Sequence, residues 1–147
     1  MKKFHFRLER ILEYRKLIKD EKTKELLISR NKLYADQEHL KELETAALLN
    51  TIGDDKFLTV ERLNLINDYA ERLKIDIEHQ KEVIEESKKA VLKAQEAYIE
   101  AAKDEGSLQT LKERRRAEYM NYLEKEDFKN NDEVVIQKIG HERLLSK

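Results

Sequence analysis

T-I-G-D-D-K-F-L-T, residues 51–59, is the stretch on which the fold turns. The chain has 147 residues, no proline and three glycines, and one of those glycines, Gly53, stands here beside Asp54 and Asp55. Glycine ends a helix by adopting a left-handed backbone, and Asp or Thr opens the next by accepting hydrogen bonds from its free amides. The stretch therefore predicts a reversal: Gly53 closes a first helix over about residues 6–50, residues 51–58 form the turn, and Thr59 or Asp55 caps a second helix over about 59–140.

On the C-terminal side of the turn, Leu63, Ile66, Ala70, Leu73, Ile77, Gln80, Ile84, Ser87, Val91, Ala94, Tyr98 and Ala101 recur at steps of three and four. A repeat sustained that long argues for a coiled-coil seam over an ordinary surface helix. On the N-terminal side, Leu26, Leu33, Leu40 and Ala47 stand seven apart, with Leu43 between the last two, while Arg15, Lys19 and Lys22 interrupt the seam. Two long amphipathic helices with a short connection pack as antiparallel neighbours, so the expected fold is all-α, one helical-hairpin domain closed by knobs-into-holes packing. A reversal centred near residue 55 sets residue i opposite roughly 110 minus i, which pairs Leu40 with Ala70, Leu33 with Ile77, Leu26 with Ile84 and Ile11 with Ile99. The second helix then outruns the first. Residues from about 107 onward are left without an intramolecular mate, and at ~1.5 Å per residue an overhang of ~30 residues projects ~45 Å. Gly106-Ser107 stands where partnership ends, either as a bend or as a helical glycine tolerated at ~1 kcal/mol.

Composition agrees with a thin, solvated structure: 41% of residues are charged, 39% hydrophobic, and there is no Trp to build a thick core. Thirty Lys and Arg against 31 Asp and Glu give a net charge of −1, which offers no global field to hold nucleic acid or an anionic membrane. The lack of Cys fits a reducing compartment. No run approaches the length of a spanning helix, and Met1-Lys2-Lys3 leads into Arg7 and Glu9, not into the apolar stretch of a signal peptide. A soluble, cytoplasmic chain is expected.

Catalytic chemistry finds no foothold in the pattern. A two-helix hairpin has no concave site to build on. His141-Glu142 begins a zinc motif whose second histidine is replaced by Leu145, and His5, His39 and His79 stand alone. Isolated glycines cannot form a phosphate-cradling loop. The expectation is a chain with no enzymatic activity, cofactor or metal. The densest basic run, K-E-R-R-R at 112–116, is diluted by Glu113, Glu118 and Glu124, so it reads as a solvated face or as a docking patch for an acidic protein surface, with Tyr119 and Tyr122 close by. Apolar residues off the seam exceed what two helices can bury: Phe57, Leu58 and Leu65 near the turn, Phe128, Val134 and Ile136 in the overhang. Such surplus asks for another chain.

The ends of the sequence carry a resemblance. Phe4, Phe6, Arg7, Leu8, Ile11, Leu12, Tyr14 and Arg15 form an F-x-F-R-L-x-x-I-L start followed by a Tyr-Arg pair, which resembles the start of the flagellar export protein FliJ family. L-K-E-R-R-R-A-E-Y, Leu111 to Tyr119, followed by N-D-E-V-V with Asp132-Glu133, is similar to that family's C-terminal signature, although Asp127 replaces the Gln expected in an E-Q-K triplet. The resemblance spans the whole chain. It implies a non-enzymatic component of the type III export machine at the flagellar base, on the cytoplasmic face of the bacterial inner membrane. Family members are similar in shape to the stalk of rotary ATPases and associate with the hexameric export ATPase, the cytoplasmic domain of the export gate protein FlhA, and export chaperones. On that footing the open end, with Phe4, Phe6, Arg7, Arg114, Arg115 and Tyr119, is expected to meet the ATPase ring, and the turn-side residues Tyr34, Leu48, Leu65 and Tyr69 the export gate. Competing readings are a holdase chaperone gripping clients between the arms of the hairpin, a self-assembling coiled coil, and an injectisome stalk homologue.

Overall fold

The computed structural model describes residues 2–52 and 59–146. Two helices account for nearly all of them: α1, Glu9–Ile52, of 44 residues, and α2, Val60–Leu145, of 86. They pack against each other as a helical hairpin, and no strand occurs among the described residues. The expected reversal at Gly53, the alternative cap Asp55, and the apolar Phe57 and Leu58 lie outside the described residues. Thr59 does open α2. Its hydroxyl accepts the Arg62 amide at 3.3 Å and its carbonyl takes the Leu63 amide at 3.0 Å, the pairing of an N-cap with the third helical residue.

Two compact units divide the chain, residues 17–102 and residues 1–16 with 103–147. In the first, the seam steps by threes and fours along both helices. Leu26, Leu73 and Ile84 are buried, while Leu33, Leu40, Ile66, Ile77 and Val91 are half-buried. Along α1 a stripe of buried and half-buried positions runs 19, 22, 26, 29, 33, 36, 40, 43, 47 and 50, with 18, 38 and 46 half-buried beside it. The stripe therefore passes through Lys19 and Lys22, both half-buried, and the Lys22 ammonium pairs with Glu25 at 3.2 Å. They do not interrupt it.

The pairing expected from a symmetric turn is displaced. Asp36, expected opposite Lys74, faces Gln80 and Ser87: the Gln80 Nε2 donates to its carbonyl oxygen at 2.8 Å and the Ser87 hydroxyl donates to its carboxylate. Asn50 Nδ2 donates to the Ile66 carbonyl at 3.3 Å. The last turn of α1 is thus seated on Ile66, and the start of α2 lies beyond it. Leu63 is 42% exposed for that reason, although its spacing placed it in the seam.

In the second unit, α1 begins at Glu9 and not near residue 6, because Phe4 to Leu8 are engaged against α2. The Phe6 carbonyl takes the Glu9 amide at 3.2 Å and the Leu8 carbonyl takes the Leu12 amide at 2.9 Å, which closes the entry turn. Leu12 is fully enclosed and Phe6 is 7% exposed. α2 continues without a break through Gly106 and Ser107, whose hydroxyl donates to the Lys103 carbonyl at 2.9 Å.

The stretch of α2 without a partner is shorter than the sequence implied. Leu108, Leu111, Lys112, Tyr119 and Leu123 are half-buried, and continuous exposure begins only at Glu124. The reason is the register. Glu9 meets Lys112 and Lys2 meets Tyr119, whereas a reversal centred at residue 55 would set Glu9 opposite Ala101. A displaced turn moves each partner about a further three helical turns along α2 and so extends the pairing.

A strapped groove at the N-terminal end

The N-terminal residues form a strap across α2. Tyr119 fixes its start: the phenol hydroxyl donates to the Lys2 carbonyl, and its ring lies 5.7 Å from that of Phe4, tilted by 40°. A tilted aromatic pair of this separation contributes about 0.5–1.5 kcal/mol beyond its area. The far end of the strap is held by Lys112, whose ammonium lies 2.9 Å from the Glu9 carboxylate, and Arg15 pairs with Asp104 at 3.2 Å. Between these fixings the Phe6 side chain is the buried anchor.

An open groove of about 810 Å³ remains beside the strap, lined by Phe4, His5, Phe6, Arg7, Leu8, Leu111, Arg115, Glu118 and Tyr119. Five of the six residues that the sequence assigned to a ring contact line it together: Phe4, Phe6, Arg7, Arg115 and Tyr119. Arg114 does not line it and is exposed. Arg115 bonds Glu118 one turn on at 3.1 Å, so the one carboxylate in the groove wall is already neutralised. Tyr122, outside the groove, donates its hydroxyl to Glu126; that hydrogen bond, and then the carboxylate charge, hold the phenol above its ordinary pKa.

The turn-side residues form no such unit. Tyr34, Leu48, Leu65 and Tyr69 are all exposed, but Tyr34 and Leu48 are two heptads apart on α1, about 21 Å along its axis. They share a face of the helix without meeting. Sequence reasoning missed the contributions of His5, Leu8 and Glu118 to the groove, and the Glu9–Lys112 fixing. The Leu8–Leu111 combination was legible in principle, since both belong to the end motifs. No cluster of three metal-ligating side chains occurs among the described residues, and no helix there is long and apolar enough to cross a membrane.

The family model described as Flagellar FliJ protein matches residues 4–144, from the strap to the last turn of α2. The chain belongs to the FliJ family. Both end motifs, the strap from Phe4 onward and the α2 segment it crosses, fall within the matched range. Membership of the FliJ family implies a role connected with flagellar protein export. No curated protein and no solved structure gives a significant match to the chain.

Proposed function

We propose that this FliJ-family chain is a non-enzymatic coupling factor of flagellar export, linking the hexameric export ATPase to the cytoplasmic domain of the export gate protein FlhA and escorting export chaperones at the cytoplasmic face of the flagellar base. The strapped groove carries the reading: an enclosed aromatic anchor, Phe6, holds a half-exposed one, Phe4, beside an open groove at the end assigned to the ring. A surface with a rigid aromatic and a neighbouring arginine has the make-up of an interaction hot spot. The export-gate contact is assigned to the exposed side chains Tyr34 and Leu48 of α1 and Leu65 and Tyr69 of α2.

Stimulation of ATP hydrolysis by the purified export ATPase tests the ring contact. Phe4→Ala keeps the buried Phe6 in place and is expected to lower stimulation about tenfold, the effect of losing one hot-spot side chain. Full stimulation by a folded Phe4→Ala protein would remove the groove from the ring interface. For the gate, Leu65→Ala/Tyr69→Ala is expected to weaken capture of the FlhA cytoplasmic domain while leaving ATPase stimulation intact. The exposed apolar side chains also favour the holdase reading. Suppression of the aggregation of an unrelated client in the absence of ATPase would support that reading instead.

A further inference from the structure

We propose that the strapped groove accepts an acidic, apolar-bearing polypeptide segment of the ATPase ring, held by arginines that form no ion pair among the described residues. The inference rests on the ring contact proposed above and adds the chemistry of what enters. Residues 2–9 and 111–119 carry seven Lys and Arg against three Glu, four positive charges in excess within a chain whose net charge is −1. The fold engages all three carboxylates internally, Glu9 on Lys112 at 2.9 Å, Glu118 on Arg115 at 3.1 Å, and Glu113 accepting from Gln109 Nε2 at 3.4 Å. Arg7, Arg114 and Arg116 are exposed and form no ion pair among the described residues. Arg7 lines the groove, Arg114 and Arg116 flank its lining residue Arg115 along α2, and the groove walls are apolar, Phe4, Leu8, Leu111 and Tyr119, wide enough for two or three side chains.

This arrangement matches carboxylates at the rim and an aliphatic or aromatic side chain in the groove. Complementary charge raises the association rate and fixes orientation, while the apolar insertion supplies most of the residence time. Nucleic acid fits less well. Phe4 and Tyr119 are packed against each other, and Glu113 and Glu118 interrupt the basic run that a phosphate backbone would follow.

Equilibrium binding of the full-length chain to the purified export ATPase, between 50 and 500 mM KCl, decides the matter. Wild-type affinity is expected to fall about tenfold or more over that range as the exposed charges are screened. Arg7→Gln/Arg114→Gln/Arg116→Gln is expected to bind about tenfold more weakly at low salt and to lose most of the salt dependence, while its thermal unfolding is unchanged; the corresponding Lys substitutions should retain binding. Tight wild-type binding that ignores both salt and the triple substitution would overturn the acidic-segment assignment and leave the ring contact standing. No wild-type binding at any salt would overturn both. Displacement of the ATPase by an oligouridine probe at equal concentration would overturn the choice of a polypeptide as occupant.

Discussion

Phe6 and Leu12 carry more of the N-terminal end than any other side chains, because they are the large apolar groups that α2 encloses there. Phe6→Ala is expected to destabilise the protein by about 3–5 kcal/mol and Leu12→Ala by about 2–5 kcal/mol in urea unfolding, with Phe4→Ala well below both. The polar residues of the seam act differently. Gln80 and Ser87 are buried at positions a coiled coil fills with apolar groups, and both bond Asp36. A buried polar contact of this kind selects one register, since sliding the helices by a turn strands the groups involved. Ser87→Ala should cost about 1–2 kcal/mol. With Gln80→Leu added, part of that loss returns through apolar burial, but the spacing between α1 and α2 should become heterogeneous. Because the chain has no Cys, spin labels at Lys32→Cys and Glu85→Cys report it cleanly. An equally narrow distance distribution in the double variant would assign the register to the apolar seam alone.

At the scale of the elements, each helix owes its extent to how its ends are satisfied. Thr59 caps α2, whereas α1 starts late because the strap is occupied elsewhere. Both described glycines sit inside α2 with open space where a Cβ would go, so Gly106→Ala and Gly140→Ala should each raise stability or helicity, by up to about 1 kcal/mol for Gly106, which lies in the packed part. A kink at Gly106 would reverse that sign. Removing residues 124–146, exposed throughout, should reduce the far-UV helical signal while leaving the main unfolding transition in place. The hairpin, the cap at Thr59 and the α2 seam were legible from residue type and spacing. The register was not, because Lys19 and Lys22 disguise seam positions and a turn need not be symmetric. Nor was the strap, because periodicity is silent about an extended segment, and only the aromatic pair Phe4 and Phe6 marked it.

For the molecule as a whole, high charge does not translate into electrostatic stability. Most of its ion pairs among the described residues span i to i+3 on an exposed helix face, such as Lys22–Glu25, Lys41–Glu38 and Lys88–Glu85. Pairs of this kind contribute a few tenths of a kcal/mol each and are screened by salt. The unfolding temperature should therefore change by only a few degrees when 0.5 M KCl is added; a large loss would mean that the charges hold the fold, not merely its solubility. The strap has a separate consequence for biosynthesis. Lys2 and its clamp Tyr119 are 117 residues apart, so at ~5–20 residues per second the first aromatic side chains leave the ribosome roughly 6–23 s before their cover has been made. During translation Phe4 and Phe6 are thus open to trigger-factor-like chaperones, and the nascent polypeptide is most vulnerable at its earliest segment.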